Sequence, residues 1–263
     1  MFGIENEMYD QMLFLRDTYR LRGIKAEFEA EGSSFKDLVR LRRLTEKAGI
    51  PLFLKIGGVE AVRDIKDSLE LGVDGLIAPM VESRFGLKKF IDAYKGVYGS
   101  HKIRLAINIE TKNAIEQIEG ILELAAGFID SVTLGRTDLS ASYLDEAVTP
   151  DCAFVASLMR YVGARAKAFG LSFTVGGSIS AATVAGFRID PGIAQDVECI
   201  ETRKVILARE SMLSCPEALE EALRLEELYI LSKKEIGDIM IEAELARLAK
   251  LSARSLRGLP VPA

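Results

Sequence analysis

The chain has a single histidine, only three cysteines and no long apolar run, and each scarcity removes a class of function. Cys152, Cys199 and Cys215 are odd in number and widely spaced, with neither a CxxC pair nor a neighbouring histidine. That argues against a disulfide framework and against a zinc site, so the three are expected to be buried thiols. His101 precedes a predicted strand beside Lys102 and reads as a surface or turn residue. No apolar stretch approaches the ~20 residues of a membrane span, and the first residues lack the basic-then-apolar pattern of an export signal. No membrane partner and a cytoplasmic location are therefore expected. The 263 residues carry 34 Lys and Arg against 39 Asp and Glu, a net charge of −5, with the basic residues interspersed among acids. A nucleic-acid partner would need a basic stripe, and none is present. No GxGxxG or Walker pattern follows any predicted strand, which speaks against a nucleotide fold.

What the chain does have is a regular alternation of strand-like and helix-like segments. Residues 24–31, 52–56, 73–78, 102–110, 129–134, 171–175 and 197–207 read as strands, and amphipathic helical segments separate them. Such alternation means a parallel sheet with crossover helices, and about seven of the eight units of a closed barrel are visible. The expected fold is α/β, a TIM-type (β/α)8 barrel with a C-terminal helical extension. The eighth strand is expected either near the N-terminus or after Leu207. Residues 1–22 read as an N-terminal helix, 23–210 as the barrel and 211–263 as the helical extension, with a frayed end from Gly258 onward. The extension either covers its own barrel or joins a homo-oligomer.

Two strands carry unusual charge. In 24–31, Lys25, Glu27, Glu29 and Glu31 share one face, opposite Ile24, Ala26, Phe28 and Ala30. Buried charges in a row are costly without partners, so this strand is either an edge or faces a lumen that holds cations. In 102–110, Asn108 and Glu110 lie opposite Ile103, Leu105, Ile107 and Ile109. Helix-covered parallel strands usually read as continuous apolar runs, so polar residues on the second face point to a barrel lumen.

The segment from Ile107 to Ser142 combines the motif INIET, a helical crossover and the motif GRTDLSAS. It is one β-α-β unit with an acid at each strand end, Glu110 and Asp138. Two carboxylates with few other protein ligands suit a hard ion such as Mg²⁺ or Mn²⁺, which keeps several positions for water or substrate oxygens. The same acids also suit plainer roles, Glu110 pairing with a barrel Arg or Lys and Asp138 capping a turn.

With these residues in view, the chain resembles the HpcH/HpaI aldolase and citrate lyase beta-subunit family, metal-dependent barrels of the phosphoenolpyruvate/pyruvate type. APMVES at 78–83, INIET and GRTDLSAS carry the resemblance, in that order. It implies that Glu110 and Asp138 hold the divalent ion. It also implies that Lys55, in LFLKIGG, stands where the family has a substrate arginine, keeping the charge but losing the two-pronged fork. Gly32 stands where the aldolase branch has a histidine, so the expected base is another group on the 24–31 strand or a metal-bound water. Glu31 is the first choice, with Lys25 and Lys55 as further catalytic candidates and Glu29 as a substrate contact. Asn108, Arg136, Thr137, Gly176 and Gly177 complete the expected substrate site, the two glycines offering either N–H groups to an anion or a plain tight turn. The expected reaction is metal-dependent carbon–carbon cleavage through the enolate of pyruvate or a related 2-oxo acid. The alternatives are an acyl-CoA or phosphate-bearing acid lyase of the same superfamily, or a binding protein that has lost its base.

Overall fold

A computed structural model describes residues 3–28 and 30–254. The glutamate at 29 and the proline-containing end from 255, on which two of the expectations above fall, lie outside the described residues. In chain order the elements are α1 (Gly3–Tyr19), β1 (Leu21–Glu27), α2 (Phe35–Ala48), β2 (Leu52–Lys55), α3 (Val62–Leu71), β3 (Gly75–Ala78), α4 (Arg84–Tyr98) and β4 (Arg104–Ile109). There follow α5 (Lys112–Glu116), α6 (Ile118–Ala125), β5 (Ser131–Gly135), α7 (Arg136–Ala141), α8 (Ala153–Ala168), β6 (Ser172–Gly176) and α9 (Ala181–Ile189). The chain ends with β7 (Cys199–Glu201), β8 (Val205–Ala208), α10 (Arg209–Ser214) and α11 (Ala218–Arg254).

The eight strands close into a barrel in sequence order, with helices around it. Strands β1 to β7 run parallel, and β8 runs antiparallel to both β7 and β1. The expected closed α/β barrel is present, but its eighth strand lies inside the 197–207 segment that reads as one strand. That segment folds as a hairpin because Glu201, Thr202, Arg203 and Lys204 interrupt its apolar run at the barrel mouth. There Thr202 closes the turn, its N–H donating to the Val205 carbonyl at 2.9 Å. The helical crossover between INIET and GRTDLSAS breaks at Gln117 into α5 and α6.

Strand alternation sorts the interior into two cores. Leu52, Leu54, Leu76, Leu105, Ile107, Val132 and Leu134 face outward and join the helices in one large apolar cluster. Phe53, Ile77 and Ala106, with Ile206 against them, form a separate plug inside the barrel. Phe53 fills that space because two neighbours have no side chain. A Cβ at Gly23 or Gly75 would lie 2.5 Å from the Phe53 ring, and the Arg104 guanidinium covers the ring at 4.6 Å. The plug closes the lumen below and leaves its polar residues at the mouth. The cysteines are free and partly buried rather than fully buried, and burial pushes the Cys199 thiol up to about 11. No described helix is long and apolar enough to cross a membrane.

The Gly75→Ala variant should lose about 1–3 kcal/mol of stability, the usual cost of overpacking. Urea unfolding checks this, and adding Phe53→Leu should recover part of the loss by opening room beside residue 75.

Candidate active site at the barrel mouth

The strand ends surround a cavity of about 460 Å³. Glu110 follows β4 on its lumen side and is almost fully buried. One of its oxygens accepts from the Met80 N–H at 3.0 Å and the other from the Asn108 amide at 3.1 Å. Met80 aims that N–H from a left-handed backbone conformation, φ 52°, at the end of β3. Such conformations are uncommon outside glycine and cluster at functional sites. Gly135 makes room for the acid, since a Cβ there would lie 2.5 Å from a Glu110 carboxylate oxygen.

Asp138, in the first turn of α7, is exposed and lines the same cavity. Burial raises the Glu110 pKa above the usual carboxylate range; the charge of Lys55 works against that shift and the charge of Asp138 adds to it. A cation between the two acids would relieve both the burial cost and their repulsion. The Asn108 side-chain oxygen Oδ1, also bordering the cavity, is buried without a partner. Among the described residues no cluster of three or more His, Cys, Asp or Glu could hold a metal. An ion here would rest on two carboxylates and otherwise on water or substrate, an all-oxygen set that fits Mg²⁺ or Mn²⁺.

The cations of the mouth are each matched. Lys25 pairs with Glu201 at 2.5 Å, Lys55 lies 3.6 Å from Glu27, and Arg203 reaches Glu27 at 2.9 Å and Glu226 of α11 at 3.7 Å. Gly176 admits Glu201, because a Cβ at 176 would meet its side chain at 2.7 Å. Gly177, at φ 81°, presses its backbone against the start of α7, where a Cβ would stand 2.6 Å from the Thr137 nitrogen. Thr137 and Ser178 hydroxyls bond at 2.8 Å across the cavity rim.

Three expected contacts are placed elsewhere. Arg136 is 1% exposed and turns away from the cavity: it donates to the carbonyls of Gly176, Gly177 and Pro150 and pairs with Asp151 at 2.7 Å. It ties the end of β6 to the loop after α7. Gly176 is buried beneath the cavity rather than lining it. Glu31 points away from the mouth into a second cavity, where its carboxylate is bound by the ammonium of Lys204, itself stacked over the Tyr229 ring at 3.9 Å. The chain turns after Glu27, four residues before the strand was expected to end, and that turn carries Glu31 under α11. Lys25, Lys55, Asn108, Glu110, Thr137, Asp138 and Gly177 are brought together. Glu27, Glu201 and Arg203 join them without having been expected, although charges inside the apolar 197–207 segment are the signal that marks the last two.

The family model for HpcH/HpaI aldolase/citrate lyase matches residues 37–187. The chain belongs to this family. No curated protein matches it in sequence. Among solved structures it is similar to an HpcH/HpaI aldolase from Desulfitobacterium hafniense DCB-2, at TM-score 0.58 and 18% identity, over 74% of this chain and 82% of that one. A family protein from Burkholderia cenocepacia J2315 gives 0.59 and 16%, over 84% and 89%. A citrate synthase variant gives 0.58 and 19%, over 88% and 90%. At such identities the likeness is one of fold. Within this HpcH/HpaI member, Lys55, Glu110 and Asp138 fall inside the matched span, whereas Lys25, Glu27, Glu201 and Arg203 fall outside it.

Two stability measurements test these placements. Arg136→Met should cost about 1.5–3 kcal/mol, the range for hydrogen bonds to a charged group, and should leave Mn²⁺ affinity unchanged. For Glu110, the folded state holds its proton to a higher pH than the unfolded chain, so the folded state binds more protons between the two pKa values. Metal-free stability should fall as pH rises through that window. Glu110→Gln should abolish that slope and be more stable than the parent at neutral pH in EDTA, as read by urea unfolding.

Proposed function

We propose that the protein is a divalent-metal-dependent carbon–carbon lyase of the aldolase type, acting through the enolate of pyruvate or a related 2-oxo acid. The observation that carries this reading is the buried Glu110 and the facing Asp138 on one cavity, with the Lys55 ammonium close enough to oppose the Glu110 pKa shift. When bound between the two acids, Mg²⁺ or Mn²⁺ would polarise a substrate keto group as a Lewis acid. Lys55 binds the substrate carboxylate or keto oxygen as a point charge, and Glu27 holds its ammonium in place. Thr137 and Ser178, already bonded to each other, offer hydroxyls at the rim. Lys25 holds a transferable proton at its Nζ beside the Glu201 carboxylate, and it takes the acid–base role in place of Glu31, which faces the other cavity. The plug around Phe53 excludes water from below.

The matching of each mouth cation with a carboxylate supports a small oxo acid over a substrate with a polyphosphate tail, because no unpaired cationic groove among the described residues meets such a tail. The enclosure of Glu31 by Lys204 favours, as a second reading, a binding protein for the same acids.

The test is exchange of the C3 protons of 2-oxo acids into deuterated water with Mg²⁺ or Mn²⁺, followed by NMR. Exchange is expected for the parent and should vanish in Glu110→Gln and Asp138→Asn along with Mn²⁺ binding. Lys25→Met should slow it by about 10²–10⁴, the contribution of a positioned acid–base group, and Glu31→Gln should leave it near the parent rate. Lys55→Met should weaken oxo-acid affinity while Mn²⁺ affinity holds. Tight binding of an oxo acid with no exchange at any pH would select the binding-protein reading.

A further inference from the structure

Helix α11 is 37 residues long, yet its buried residues end at Ser232. Its first half lies antiparallel to α1, with the Gln11 amide donating to Glu221 and the Ile4 N–H to Glu235. It also supplies Leu223 and Glu226 to the mouth. Beyond that, every residue from 237 to 254 is exposed. The exposed part spans about 27 Å at the helical rise.

This projecting part is not a polar tail. Met240, Ile241, Leu245, Leu248 and Leu251 are each more than half exposed. Ile241, Leu245 and Leu248 follow four- and three-residue steps along one side, and Met240 and Leu251 share one edge of that stripe. A lone helix of this length is marginal in water, and most helical stability in proteins comes from covering such a face. The charges are also divided. Residues 238–244 contain Asp238, Glu242 and Glu244 and no base, whereas 245–254 contain Arg247, Lys250 and Arg254 and no acid.

We propose that the projecting half of α11 pairs antiparallel with the same segment of a second copy, about a two-fold axis near Leu245. This register sets Ile241 beside Leu248 of the partner subunit and Met240 beside Leu251 of the partner subunit, so the apolar stripe covers itself. It also lays each acidic block on a basic one. Parallel pairing would lay acid on acid and base on base. An isologous contact of this kind closes on itself as a dimer. The inference stands on α11 alone and does not depend on the lyase reading.

Sedimentation equilibrium of the full chain should give the dimer mass. Leu245→Glu/Leu248→Glu should give the monomer mass with the cooperative urea unfolding of the barrel unchanged, since both side chains are exposed in the single chain, and any loss of far-ultraviolet helicity should not exceed that of the uncovered 237–254 segment. For orientation, Ile241→Cys and Leu248→Cys proteins are mixed and oxidised. The mixed cross-link should exceed either self-cross-link, both read above the background of the parent protein treated alike. A parent that stays monomeric at every concentration, an assembly indifferent to the double glutamate variant, or self-cross-links that dominate would each overturn the proposal. So would a monomer that floats with anionic phosphatidylserine vesicles through the same leucines, which would assign the face to lipid.

Discussion

Charge inside a barrel has to be matched by charge, and this barrel is closed where the matching is done. The acids of β1 and the turn after it, Glu27 and Glu31, meet Arg203 and Lys204 of the β7–β8 hairpin, while Lys25 of β1 meets Glu201 from the other side of that hairpin. These pairs join the first strand to the last two. Buried ion pairs bring little net stability once desolvation is counted, but an unmatched member is strongly destabilising. The pairs therefore act as a register lock: β8 can sit beside β1 in few other ways without stranding a charge. The lysine most deeply buried here, Lys204, has its pKa lowered chiefly by desolvation, with Glu31 pulling the other way, which is the expected signature of such a compromise.

Against this charged seam, the opposite side of the mouth is organised around one carboxylate. Glu110 is held by a backbone N–H and an amide, given space by a glycine, and left with a burial cost that its neighbours offset only in part. A cation placed beside it would relieve that cost. The two halves of the mouth thus have different characters. One is saturated with ion-pair partners, and the other is short of positive charge.

Much of this could be read from the chain. The period-two pattern of β4 assigned Asn108 and Glu110 to the lumen, because a strand whose second face is polar has only a lumen or solvent to face. The alternation of strands and helices was enough for a closed barrel. What was not legible has particular causes. The reversal of β8 depends on pairing between residues of β1 and β8, such as Ile24 with Val205, and no local pattern within 197–207 encodes a tertiary contact of that kind. Arg136 was expected at the mouth with the rest of GRTDLSAS, yet adjacent residues on a short helix face different ways, and its guanidinium turns to the Gly176, Gly177 and Pro150 carbonyls. Glu31 was placed on a strand by its alternation with Glu27 and Glu29, but the strand ends at Glu27, and periodicity says little about where an element stops.

The downward course of β8 has a consequence for how such a site can change. A chain that ended with an eighth parallel strand would finish at the mouth; here it is returned to the far end and must climb again, as α11, along α1 toward the mouth. One wall of the cavity is therefore made from the last quarter of the sequence, beyond the segment the family shares, while the two carboxylates sit in the middle of it. Substitution at the residues that α11 turns to the mouth, Leu223 and Glu226, would redecorate that wall while the β7–β8 hairpin, with its ties to β1, and the two carboxylates stay in place, so that the lining of the cavity can drift independently of its acids within one polypeptide.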